Sequence, residues 1–307
     1  MARGDVQLTE NIQLLLDTIS YASPRKMMSA GSTADALISA MNAEIKSWAL
    51  DDQQSIVEFE SISKKAISIV EFFYYNHPFE VKLTFAYYAW FFFYIDDVAT
   101  QSSIEKFQHT VLVGGTHPPG PLKHFQSVLG ALYTYWDPIC ANIMVSAAMD
   151  FVTATALEGR QDVVCMDVRP AALGWPKYLR AKSGMAPGYS CAAFPRAAHP
   201  DITTYLQALP EIDECLSLLN DILSFYKEDL AGETMNYVSV RAKVSGKQPT
   251  GVLLEMVEEV GDLHRRVAEI LEGNPDAVAA WAALEHGVIA WHFSLSRYKL
   301  SDLGFTW

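Results

Sequence analysis

The sequence predicts an all-α protein. Apolar residues recur with the helical period over most of the chain, alternating strand patterns bounded by Asn-Gly or Asp-Gly turns are missing, and Gly- and Pro-containing breaks separate the periodic runs. The period predicts helices over 34–48, 54–75, 79–98, 102–112, 122–135, 138–159, 175–186, 201–229, 234–243, 250–273 and 276–300. Several carry few charges around most of their circumference, which marks central helices surrounded by others. Breaks fall at Gly114-Gly115 through Pro121, at Ala186-Pro187-Gly188, at Phe194 through Pro200 and at Gly246 through Gly251. Residues 1–30 have weaker periodicity and read as an N-terminal strap or a disordered arm, and 31–307 as a single helical domain.

Half of the 307 residues are apolar, enough for a large core. A formal charge of −13 argues against nucleic acid and anionic membrane surfaces as partners. An anionic small substrate needs metal ions or a local basic cluster to offset that charge. Cys140, Cys165, Cys191 and Cys215 are widely spaced without a CxxC pair, so neither zinc nor a disulfide framework is indicated. The N-terminus lacks the basic-then-apolar pattern of a secretory signal, and the longest apolar stretch, Leu83 to Ile95, is too short to span a bilayer. A cytoplasmic protein without stable membrane insertion is expected; a homodimer is left open.

Four segments carry chemistry. In FFFYIDDVAT, residues 91–100, an aromatic helix ends in Asp96 and Asp97, hard oxygen ligands of the kind magnesium takes. Phe93, Phe92 and Tyr88 precede Asp96 on roughly its side of the helix, which suggests an aromatic cavity with acids at the rim. Alone, an Asp-Asp pair more often ends a buried helix at a solvated turn. In NDILSFYKE, residues 220–228, Asn220, Ser224 and Glu228 recur every four positions. Each step of four rotates by only about 40°, so the three side chains form one oxygen-bearing stripe able to ligate a hard cation. Lys227 beside the stripe suits a phosphate oxygen. In WPKYLRAKSGMAPGY, residues 175–189, Arg180 precedes Ser183-Gly184, and the glycine suggests a local helix break. In WHFSLSRYKL, residues 291–300, Arg297 and Tyr298 offer a planar donor fork and a phenol to a multi-oxygen anion, and Trp291 lies seven residues earlier.

In order and spacing, these segments resemble the class I terpene synthases, most closely the fungal trichodiene-synthase-like sesquiterpene cyclases, over roughly residues 60–300. Asn220, Ser224, Lys227 and Glu228 match the pattern N-D-x-x-S-x-x-K-E of that family's second metal motif. Arg180 matches its pyrophosphate-sensing arginine, Ser183 and Gly184 its linker and effector positions, and Arg297-Tyr298 its C-terminal RY pair. The resemblance implies an α-bundle around a central active-site cavity. It also implies a trinuclear Mg2+ cluster held by Asp96, with Asp97 as an additional candidate, and by Asn220, Ser224 and Glu228. Arg180, Lys227, Arg297 and Tyr298 would bind the diphosphate of a prenyl substrate, most often farnesyl diphosphate. Phe92, Phe93, Tyr88, Trp291 and Ser183 are the expected substrate contacts, and Gly184 joins the catalytic set. One position departs from the pattern: four residues after Asp96, where the family places an acid, stands Thr100. Alternatives remain a chain-elongating prenyl synthase, a terpene-cyclase fold with altered or lost ionisation chemistry, and a non-enzymatic helical isoprenoid-binding or scaffold protein.

Overall fold

The computed structural model describes residues 3–21, 33–48, 53–117 and 120–305. Fourteen α-helices occur among them: α1 (Arg3–Thr18), α2 (Thr33–Ser47), α3 (Gln53–Phe73), α4 (Phe79–Asp97), α5 (Gln101–Leu112), α6 (Pro121–Tyr135), α7 (Pro138–Glu158), α8 (Gln161–Val164), α9 (Trp175–Ser183), α10 (Ala186–Ala192), α11 (Leu209–Leu230), α12 (Tyr237–Ser245), α13 (Pro249–Ile270) and α14 (Pro275–Ser294). The all-α expectation holds, with no strand among the described residues.

Contacts α3–α4, α4–α7, α7–α10, α10–α11, α11–α14 and α14–α3 close a ring of helices. The ring explains the composition of its members. On α4, residues as different in direction as Phe85, Tyr88, Ala89, Trp90, Phe91 and Ile95 are all buried, because helices cover it on several sides. Helix α7 is 21 residues long and apolar enough to match a membrane span in length and composition, yet it packs within the bundle against α4, α6, α9 and α10. Helices at the outside are amphipathic instead. Helix α13 buries Val252, Leu253, Met256, Val257, Val260, Leu263 and Val267 on one side, toward α11 and α1.

The boundaries differ from expectation where backbone geometry intervenes. The helix expected over 175–186 stops at Ser183 because Met185 takes φ 54°, a left-handed conformation no α-helix accommodates. A new helix then starts at Ala186, so Ala186-Pro187-Gly188, expected as a loop, is its first turn. Proline needs no N–H partner there. Residues 202–208 form two 3-10 turns before α11, and α14 ends at Ser294 rather than 300. Of the expected strap, residues 1–2 and 22–30 lie outside the described residues. Residues 3–18 are helical, and Leu8, Ile12, Leu15 and Leu16 of this stretch are buried.

At the α10–α11 seam the Ser190 hydroxyl donates to Asp213. Burial pushes the Asp213 carboxyl up to about 7, outweighing the opposite pull of that hydrogen bond. The folded protein therefore holds a proton at Asp213 that the unfolded chain releases near pH 4. Stability from this group is full below about pH 4 and is lost as pH rises to about 7, at a slope of up to about 1.4 kcal/mol per pH unit. Asp213→Asn is expected to flatten the pH dependence of urea unfolding between pH 4 and 7. An unchanged slope would show that Asp213 titrates normally.

Candidate active site

The four sequence segments converge on one cavity. A cavity of about 220 Å³ is walled by Ile69 and Phe73 of α3, Phe92 and Phe93 of α4, Phe151 of α7, Tyr189 of α10, Leu216 of α11, and Val288 and Trp291 of α14. Asp96, Arg180, Ser183, Gly184, Asn220, Arg297 and Tyr298 also line it, so seven polar or backbone positions named from sequence meet in one space. An adjoining pocket of about 440 Å³ shares Arg180, Ser183 and Asn220 with the cavity and adds Glu158, Asp221, Glu228 and Glu233. An aromatic chamber thus opens into an acidic vestibule.

Helix α4 places its two aspartates differently. Asp96 keeps an exposed edge on the cavity, but surrounding protein strips enough hydration to raise its pKa. Asp97 raises it further, against the pull of Arg297, Lys227 and Lys65. Asp97 turns outward to Lys65 at 2.9 Å, both side chains solvent-accessible, and is not a lining residue. Phe92 and Phe93 reach the cavity as expected. Tyr88 does not. It is fully buried behind Phe92, ring centroids 4.7 Å apart, and its hydroxyl donates to the Met144 carbonyl at 2.6 Å. Eight positions rotate a helix by about 80° from the starting direction, against about 40° for four, so the second turn back has already left the cavity face.

Helix α11 carries the polar stripe. Glu228 faces the vestibule, its pKa raised chiefly by burial and held back by Ser224 and Lys227. Ser224 Oγ is buried and sits close enough to influence Glu228, yet it makes no hydrogen bond of good geometry. Lys227 is shared between Glu228 at 3.8 Å and Glu233 at 3.7 Å. Asn220 bridges the two spaces.

Arg180 is anchored before any ligand arrives. Its Nε donates to Asp221 at 2.7 Å, and Nη2 donates to the Ser217 carbonyl and to Asn220 Oδ1, both at 3.2 Å. Burial pushes Asp221 up to about 6 even with Arg180 opposing. A Cβ on Gly184 would sit 2.6 Å from Arg180 Nη1 and 2.8 Å from the Arg180 carbonyl oxygen, so a residue without a side chain is what admits the guanidinium. Arg297 lies 5.3 Å over the Tyr298 ring and forms no ion pair among the described residues. Its charge acts on the nearby Asp96.

These donors fit magnesium. Asn amide, Ser hydroxyl and two carboxylates are hard oxygen ligands, and the buried Ser224 oxygen lacks a protein partner. Among the described residues no three His, Cys, Asp or Glu side chains cluster tightly enough to hold a metal alone.

A family model described as Trichodiene synthase (TRI5) matches residues 7–304. The chain belongs to the trichodiene synthase family. It is 34% identical over 244 residues to terpene synthase BipA of Cochliobolus sativus, covering 76% of this chain and 75% of that one. To the alpha-cuprenene synthase COP6 of Coprinopsis cinerea it is 32% identical over 234 residues, covering 75% and 70%. A solved linalool/nerolidol synthase from Streptomyces clavuligerus in complex with 2-fluorogeranyl diphosphate superposes with a TM-score of 0.60 at 12% identity, covering 88% of this chain and 94% of that one. The last likeness concerns the fold. This terpene synthase is thus a class I helical fold, of a class that generally uses magnesium.

Within that family the Thr100 departure has a physical account. Thr100 is the N-cap of α5: its Oγ1 accepts from the Ser103 N–H at 3.3 Å, so the side chain serves the next helix and not the cavity. Sequence reasoning missed Phe73, Phe151 and Tyr189, which lie on nearly all-apolar surfaces where one wall residue looks like any core residue. It also missed Asp221, Glu158 and His292. Asp221 sits inside the N-D-x-x-S-x-x-K-E pattern, so its adjacency to Asn220 was an available signal.

Proposed function

We propose that the protein ionises farnesyl diphosphate and cyclises the resulting allylic cation to a sesquiterpene hydrocarbon or alcohol, releasing diphosphate. One observation carries this reading: Asp96 on α4 and Asn220 on α11 face a common aromatic cavity that opens onto Glu228. Asp96, Asn220, Ser224 and Glu228 would hold a magnesium cluster, which when bound supplies Lewis acidity toward the departing diphosphate.

The chain's own groups supply the rest. Arg297, Tyr298 and the remaining N–H groups of Arg180 donate hydrogen bonds to the leaving group, in a site partly shielded from water where such donors act strongly. The prenyl chain occupies the chamber, and closely packed aromatic walls keep water from the cation. Phe92, Phe93, Phe151, Tyr189 and Trp291 present ring faces or edges there, each face worth about 0.5–2 kcal/mol to an adjacent cation. Trp291 is held by its Nε1 donating to Ser68 at 2.9 Å. The released diphosphate is the base available for the final proton.

The chamber's volume of about 220 Å³ also suits the shorter geranyl diphosphate as a second substrate. Incubation of purified protein with Mg2+ and geranyl, farnesyl or geranylgeranyl diphosphate, followed by gas chromatography, tests both. A cyclic C15 product from farnesyl diphosphate is expected. Products from geranyl diphosphate alone transfer the assignment to C10 chemistry, and none from any substrate rules out the cyclase reading.

A further inference from the structure

Asn220 is held between two groups with opposite hydrogen-bonding demands. Its Oδ1 accepts from Arg180 Nη2 at 3.2 Å, and its Nδ2 lies 3.1 Å from His292 Nε2. On its other side the His292 ring places Nδ1 2.8 Å from the Val288 carbonyl oxygen. A carbonyl only accepts, so Nδ1 carries a ring proton; Arg180 only donates, which turns Nδ2 of Asn220 to His292 and makes Nε2 the acceptor of that bond.

Arg180 and that acceptor together set the Asn220 amide orientation. With Nδ2 toward His292, the oxygen turns to Arg180, which borders the Glu228 vestibule as His292 does not. The opposite orientation sets N–H against N–H at Arg180 and lone pair against lone pair at His292. The ring has little room to turn away. His292 is 1% exposed, with the rings of Tyr298 and Trp291 at 4.5 and 5.1 Å.

We propose that His292 is a positioning residue that fixes Asn220 with its amide oxygen toward the metal-binding side, so that asparagine at 220 and a histidine at 292 with Nε2 accepting form one coupled unit. The proposal rests on Asn220 being a magnesium ligand. It explains why an amide stands at the first position of the α11 stripe. An aspartate at 220 would press a carboxylate oxygen against the unprotonated Nε2 in a buried setting, where two unshared acceptors repel. His292 acts on the site through Asn220.

The test uses thermal unfolding of the full chain with inorganic diphosphate while Mg2+ is titrated, a readout that needs no turnover. Wild type is expected to gain stability with a saturable Mg2+ midpoint. His292→Phe keeps the volume and removes the acceptor, and its midpoint is expected to rise about tenfold or more, as for other groups that orient metal ligands. His292→Gln, whose amide oxygen can stand near the Nε2 position, is expected to stay close to wild type. In the Asn220→Asp background the same His292→Gln change is expected to lower the midpoint, because the Gln amide can turn its NH2 to the carboxylate. The double-mutant cycle isolates that coupling.

Equal midpoints for wild type and His292→Phe, or no gain from His292→Gln in the Asn220→Asp background, overturn the proposal. Should His292→Phe fail to fold, the Asn220→Asp pair decides alone. A wild-type protein that gains no Mg2+-dependent stability with diphosphate overturns the magnesium reading itself, and the proposal with it.

Discussion

Glu228→Gln is expected to lower turnover by at least about 100-fold while far-UV circular dichroism stays that of wild type. The substitution keeps size and shape and removes only the charge. Glu228 faces the vestibule with its carboxylate partly stripped of water, so it gains from a cation more than a solvated carboxylate does. Ser224 Oγ lies beneath it without a hydrogen-bond partner of its own, and Asn220 stands two turns back on the same stripe. Single-turnover hydrolysis of farnesyl diphosphate, read as released diphosphate, separates loss of ionisation from altered cyclisation. Asn220→Ala is expected to behave alike. Near-normal turnover in either variant would remove the α11 stripe from the metal assignment.

The second large effect concerns the ring itself. Gly287→Ala is expected to destabilise the fold by about 3 kcal/mol or more and to lower the melting temperature by roughly 5–10 °C. A Cβ at Gly287 would lie 2.2 Å from the Phe72 carbonyl oxygen, 2.8 Å from its carbon and 2.9 Å from Phe73 Cα. These are backbone atoms, so no rotamer change relieves the clash and α14 must move away from α3. Phe73 on α3 and Trp291 on α14 both wall the cavity, so the same displacement is expected to change product distribution. A melting temperature within about a degree of wild type would show that the two helices separate without cost.

The motifs were legible because their chemistry is local. Asn220, Ser224 and Glu228 share a face through the helical period alone, and Arg297-Tyr298 and Arg180 are recognisable by residue type and order. Where the same reasoning extended two turns, as at Tyr88, the period carried the side chain off the face. The helix break at Ser183-Gly184 was visible, but the residue that makes it is Met185, whose positive φ no composition rule suggests.

Partnerships across helices were not legible. The Asp97–Lys65 pair spans 32 positions, the Arg180–Asp221 bond 41 and the Asn220–His292 contact 72. Phe151 and Glu158 read as the body and end of an apolar helix, and only the packing of α7 puts them on the walls of the cavity and vestibule. Thr100 read as a missing acid, whereas its side chain belongs to the start of α5.

The sequence by itself determined the all-α class, the central helices, the oxygen stripe on α11 and the donors suited to diphosphate, since periodicity and residue chemistry act within a few turns. Only the tertiary structure decided which aromatics wall the cavity, which aspartate faces it and what orients Asn220. Those depend on which helix surfaces meet, and on hydrogen bonds and ion pairs between residues far apart in the chain.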